Sequence, residues 1–244
     1  MKDLKLGEFS AAAEAFSSTD QLTQTDLTVK VYWLLSRYLA ARGVVDQTSE
    51  QIITDILSQQ PNNPIALEIS ALSAFANGDK PQAIRLLNRA ISGSLDPAQQ
   101  ASFGQAIRQI RDSLDTPSAG VTVEVTTTAV NQIPHRSVLF VIARPIGGGM
   151  PYAVVRRPGV LLPIKVVLDD LVSMSPDRTL ADAAEFEVVV RLSLSGQPMA
   201  NAEDWQWISG PITLENSDSN KLSDNKLSVN LSPPEPLRPE PPRQ

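Results

Sequence analysis

Few side chains in this sequence have both the type and the spacing that bond-making chemistry needs. His135 is the only histidine; it follows Pro134 in a loop and has no cysteine or second histidine for company. A solvated loop residue is therefore a better reading of it than a metal or haem ligand. Asp169 and Asp170 invite comparison with a paired-carboxylate site. Adjacent strand residues point to opposite faces, however, and cannot readily share a substrate, so turn capping is expected of them. The run Gly147 to Gly149 lacks the Lys-Ser/Thr pair and the following helix of a phosphate-cradling loop, and reads as a hairpin tip or a close backbone contact. There is no G-x-S-x-G elbow. The absence of cysteine removes disulfides, thiolate metal sites and thiol exchange. The expectation is a protein that is not an enzyme, with no cofactor and no metal site.

Recognition of another chain is the chemistry better served. Trp33 and Arg37 on one helix, and Ile65, Glu68, Leu72 and Phe75 on a later one, supply large apolar groups and a charge of each sign, a hot-spot composition. Leu72 and Phe75 have a competing role, which is to pack between helices. The formal charge of −6 is spread evenly, 10 − 13 = −3 before Ser118 and 11 − 14 = −3 from there on. No half carries a basic face, which argues against a nucleic-acid partner. No apolar run approaches the ~20 residues that span a bilayer, so no membrane segment is expected within this sequence.

The elements that must hold those residues are helical hairpins. In the stretch from Asn63 to Ile91, Asn63 and Pro64 form a cap and first turn. Leu67, Ala71, Leu72 and Phe75 fall at helical spacing before Asn77-Gly78-Asp79 stops one helix and caps the next. Ala83, Ile84, Leu87, Ala90 and Ile91 line one face of the second helix. Ala71 and Ala83 are expected at the crossing, where short side chains let backbones approach to about 8–10 Å. An earlier pair is expected from about Leu27 to Arg42 and from about Ser49 to Gln60. Tyr32, Leu35, Ser36 and Leu39 fall at the W-x2-L-G-x2-Y positions of the tetratricopeptide repeat, with Gly43 at the turn and Pro61 closing the unit. By that register, successive first helices line a concave surface that takes a partner's amphipathic helix, and the six residues named above face it. Gly7, Ala12 and Phe16 match only the second half of a repeat, so the chain is expected to begin inside a longer parent or to have Leu4, Phe9 and Phe16 covered by another element. Asp96 to Gln99 starts a last helix, whose stripe Ala101, Ile107, Ile110 and Leu114 suits a terminal cap.

Beyond Thr116-Pro117-Ser118-Ala119-Gly120 the period changes from 3.6 to 2. Val121, Val123 and Val125 alternate with polar residues, and Val138 to Ala143 is apolar throughout. Tyr152 to Arg156, Ile164 to Leu168, Phe186 to Leu194 and Trp207 to Leu214 bring the set to about six strands with Gly/Pro-rich turns, the pattern of an antiparallel sandwich. Ser232 to Gln244 holds six prolines in thirteen residues. The expected organisation is an α+β two-domain chain: a tetratricopeptide-repeat helical domain at 1–115, a linker at 116–120, an antiparallel β-sandwich at 121–215 and a disordered Ser/Pro-rich tail at 216–244.

Repeat hairpins followed by VLFVIARPIGGGMPYAVVR, LDDLVSMSP and FEVVVRLSLSGQP resemble the periplasmic part of the apocytochrome c chaperone of the bacterial cytochrome c maturation system, over roughly Leu27 to Leu214. The Asn201-Ala202-Glu203 run and the Ser/Pro tail depart from that pattern. The resemblance implies a periplasmic protein whose groove binds the C-terminal helical region of apocytochrome c and passes it to the haem-ligation components, with an inner-membrane anchor lying outside this chain. The alternative class is a non-catalytic scaffold of another envelope assembly. Tyr152, Arg156 and Arg157 beside the glycine turn look available for contacts of the β domain.

Overall fold

The computed structural model describes residues 8–22, 26–114, 120–159, 161–173, 178–197, 199–214 and 226–234. The chain divides into two compact units, Met1–Asp115 and Thr116–Gln244. Most of the expected linker, the Gly7 turn and much of the expected tail lie outside the described residues.

In the first unit six helices follow one another: α1 Phe9–Leu22, α2 Leu27–Ala40, α3 Gln47–Gln59, α4 Pro64–Ala76, α5 Lys80–Gly93 and α6 Pro97–Asp112. Short acid or amide side chains start five of them: Asp26, Asp46, Asn63, Asp79 and Asp96 each accept a backbone N–H of the first turn. Each satisfies a donor that no intrahelical carbonyl can reach. Consecutive helices pack in pairs, and α2 also lies against α4. Phe16 stacks on Tyr32 with ring centroids 5.9 Å apart, so α1 stands against α2 as a second helix of a preceding hairpin would. Ala71 on α4 and Ala83 on α5 are both buried, and the two helices pack on each other. Leu34, Ile56, Leu67, Ile84 and Ile91 are enclosed, each contributing about 1.5–3 kcal/mol of hydrophobic stabilisation. At the end of α5 the chain comes so close to the turn before α4 that a Cβ on Gly93 would lie 1.6 Å from the Asn62 carbonyl oxygen. On α6 the buried stripe is Phe103, Ile107 and Ile110, while Ala101 is exposed. Phe103 takes the inward position because i, i+4 and i+7 fall on one face and a phenyl ring fills it better than a methyl.

The second unit is two sheets around one core. Its strands are β1 Gly120–Thr127, β2 Val138–Arg144, β3 Ala153–Pro158, β4 Ile164–Asp169, β5 Glu187–Ser193, β6 Trp205–Ile208 and β7 Lys226–Leu231. One sheet has the order β4-β1-β7 and the other β3-β2-β5-β6. Val121, Val123, Val125, Val166, Leu168, Val229 and Leu231 of the first sheet pack in one cluster with Leu139, Val141, Val155, Val188, Val190, Leu192 and Trp205 of the second. This is the two-layer sandwich of an α+β two-domain chain.

Two details depart from the sequence reading. Lys226–Leu231, within the expected tail, is a strand that pairs in parallel with β1, Val125 opposite Val229. Leu227, Val229 and Leu231 alternate with Lys226, Ser228 and Asn230, a period-2 signal swamped by the Ser/Asp/Asn and proline-rich sequence on either side. Thr127 Oγ1 donates to the Leu231 carbonyl at 2.8 Å and fastens that pair. The sixth strand begins at Trp205, not Trp207, and ends at Ile208; beyond it Ile212 bridges back to Phe186. The remaining strand pairs are antiparallel, as expected.

Candidate functional site

Four of the six groove candidates, Ile65, Glu68, Leu72 and Phe75, lie on α4 at i, i+3, i+7 and i+10, one strip along the helix. The strip grades from core to solvent. Ile65 packs against the cluster of Val31, Leu34, Ile52, Ile56, Ala66 and Ile69. Leu72 and Phe75 are 44% and 46% exposed, so neither is consumed by packing between helices. Apolar groups of this size left open to water at a helix face cost solvation free energy that a partner would recover.

Glu68, between them, is half-buried, and burial pushes its carboxyl above the usual carboxylate range. It forms no hydrogen bond or ion pair among the described residues. The phenol of Tyr38 on α2 is raised as well, first by its own burial and then by the negative charge of Glu68, which places the two groups in electrostatic contact across the α2–α4 pair. Tyr38 was not among the sequence candidates. Its only sequence signal is i+4 spacing from Leu34, the pattern of an ordinary packing residue.

The two α2 candidates carry other loads. Trp33 packs against the same cluster as Ile65, and its indole Nε1 is buried without a hydrogen-bond partner among the described residues. Arg37 donates from Nη2 to Asp46 Oδ2 at 2.5 Å and from Nε to Ser49 Oγ at 3.5 Å, bridging to the start of α3. Asp46 in turn caps α3, and its carboxyl is held below the usual range, first by the Ser49 N–H at 2.8 Å. The structure thus pairs Arg37 internally, so the strip offers one uncommitted charge, not one of each sign.

The second unit holds its charges differently. Arg191 and Asp204 are 7% and 6% exposed, with Nε and Oδ2 3.7 Å apart. Asp204 also accepts the N–H groups of Leu194 at 3.2 Å and Asn201 at 3.1 Å. The Arg191 guanidinium lies 5.1 Å from the centroid of the Phe140 ring. Neither residue was singled out in the sequence, where Arg191 reads as an intruder in an apolar strand. Tyr152 is not open for contacts: Arg178 lies 4.4 Å from its ring centroid and donates to the Met150 carbonyl at 3.0 Å. Arg157 donates to the Arg156 carbonyl at 3.1 Å, and burial lowers the Arg156 guanidinium from its ordinary value.

The remaining candidates resolve into turns. Asp169 accepts from the Leu171 N–H at 3.1 Å and Asp170 from the Ala181 N–H at 3.2 Å, which is capping by two separate carboxylates. His135 is exposed, and no metal-competent group of side chains occurs among the described residues. Gly147, Gly148 and Gly149 all have positive φ, and a Cβ on Gly147 or Gly148 would meet nothing within 4 Å. Backbone conformation, not close approach, therefore requires glycine there.

Helical hairpins in one unit and a two-sheet immunoglobulin-like sandwich in the other define a two-domain α+β repeat protein. Residues 120–224 match the family model of the cytochrome c-type biogenesis protein H Ig-like domain. The second domain is thus similar to the Ig-like domain of a cytochrome c biogenesis protein, in line with the resemblance read from the sequence. Comparison with curated proteins gives no match, and comparison with solved structures gives none. The matched segment ends just before β7, the strand that the sequence reading assigned to the tail. No helix among the described residues is long and apolar enough to cross a membrane.

Proposed function

We propose that this protein acts in cytochrome c maturation as a periplasmic chaperone, binding the C-terminal helical region of apocytochrome c on its hairpin domain and delivering it to the haem-ligation components. The observation that carries the reading is the exposure of Leu72 and Phe75 on the first helix of a repeat hairpin, in a chain whose second domain matches the Ig-like domain of cytochrome c-type biogenesis protein H. An amphipathic helix laid along α4 would cover both side chains, with Ile65 extending the strip and Trp33 and Arg37 shaping its α2 side. Helix-in-groove binding asks nothing of a catalytic group. It needs only apolar anchors held by a packed pair of helices, and α4 packs on α5 with Ala71 and Ala83 buried.

Calorimetry of the chain with an apocytochrome c C-terminal peptide tests this reading. The variant Leu72→Ala/Phe75→Ala is expected to weaken binding tenfold or more, about 1.4 kcal/mol at the least, with unchanged circular dichroism. Unaltered affinity in that variant would place the binding surface elsewhere.

A further inference from the structure

Every lysine and arginine on α2 to α5 is already engaged. Lys30 pairs with Asp55 at 3.3 Å and Arg37 with Asp46 at 2.5 Å. On α5, Lys80 donates to the Ser113 carbonyl at 2.5 Å, Arg85 to Gln82 at 2.9 Å and Arg89 to the Pro61 carbonyl at 2.6 Å. Helices α3 and α4 contain no basic residue. Arg42, in the α2–α3 turn, forms no ion pair with Glu68 either, so among the described residues no cation pairs with Glu68, and Tyr38, whose phenol feels its charge, is neutral at physiological pH.

We infer that the occupant of the α4 strip is an amphipathic helix carrying a lysine or arginine within its apolar face, placed to pair with Glu68 while its apolar side chains cover Leu72 and Phe75. The inference rests on the groove reading above and adds the charge of the ligand to it. A helix of purely apolar face would withdraw more water from Glu68 and leave a carboxylate buried without a counter-charge, which is strongly unfavourable. A cation at that position turns the same desolvation into a charge-assisted hydrogen bond. The chain's formal charge of −6 favours approach of such a ligand and disfavours an acidic one. Arg37 would repel nothing here, since Asp46 neutralises it.

Two synthetic helical peptides of about 18 residues, identical except for one central lysine replaced by norleucine, test the idea on the full chain. The lysine peptide is expected to bind about tenfold more tightly. Glu68→Gln is expected to remove that preference by weakening the lysine peptide alone, and raising the salt from roughly 0.05 to 0.5 M to shrink it in the unmutated chain. A preference that survives Glu68→Gln overturns the inference. The same peptides with Leu72→Ala/Phe75→Ala separate the two layers of the argument. Loss of affinity for both peptides there, with no effect of Glu68→Gln, keeps the groove and removes the ion pair. Unchanged affinity for both removes the groove, and the ion pair with it.

Discussion

Asp204 in the second unit and Glu68 in the first are both withdrawn from water, yet only one of them is answered from within the chain. Asp204 receives two backbone N–H groups and the Arg191 guanidinium, which itself rests on Phe140. Glu68 receives no hydrogen bond or ion pair among the described residues, beside two half-exposed apolar side chains. A buried acid held by two backbone N–H groups and faced by a buried cation is architecture: it ties Leu194 and Asn201 to Asp204 beside β5. An acid that keeps its charge unpaired at the edge of an apolar strip destabilises its own fold slightly, and an incoming cation can convert that cost into affinity. Between them stands Asp46, mostly exposed, and satisfied by the N–H of Ser49 and by Arg37.

The contrast can be broken at each of these acids. Asp204→Ala should cost the most, about 3–5 kcal/mol, because it strands Arg191 in the sandwich without a counter-charge. Urea unfolding followed by tryptophan fluorescence measures it, and a loss below about 1 kcal/mol would mean the pair is dispensable. The loss of peptide affinity in Leu72→Ala/Phe75→Ala comes next, read by calorimetry, with little change in the unfolding midpoint since both side chains are half-exposed already. Asp46→Ala should lower stability by about 1 kcal/mol at neutral pH, the usual value of an N-cap. Its carboxyl is depressed in the folded state, so that contribution is complete above the unfolded value of about 3.9 and fades as the pH falls through the folded value. Glu68→Gln should have the smallest effect on stability and the opposite sign, a gain under about 0.5 kcal/mol at pH 7 after solvent screening. Its folded carboxyl is raised, so folding takes up a proton and stability declines as the pH climbs from the unfolded value near 4.3 through the folded one. Thermal unfolding between pH 4 and 7 should show that decline in the unmutated chain and less of it in Glu68→Gln, and equal slopes would contradict an unpaired, desolvated Glu68.

The hairpins were legible because their signals are local. Caps at Asn63 and Asp79, prolines in the first turn and a 3.6-residue period each act within a few residues, and the helices form where those signals place them. The central strands were legible for the same reason, the alternation of Val121, Val123 and Val125 and the apolar run of β2. The parallel strand β7 was not. Its six residues gain their order from pairing with β1 about a hundred positions away, and the composition around them points to disorder. Phe103 takes the inward place expected of Ala101 on α6, since Phe103, Ile107 and Ile110 share one face and the larger side chain gains more from burial.

The candidate strip divides the same way. Residue order alone put Ile65, Glu68, Leu72 and Phe75 on one line of α4, since a helix repeats every 3.6 residues whatever surrounds it. Whether each of those side chains is spent or left open depends on what lies opposite, and that is a property of pairings between distant segments. Tertiary packing drew Trp33 onto the core, tied Arg37 to Asp46, brought Tyr38 beside Glu68 and left Leu72 and Phe75 facing water. Spacing along the chain fixes direction on a helix, while partnership needs a third dimension, because a charge or an apolar group is satisfied only by atoms that the fold carries to it.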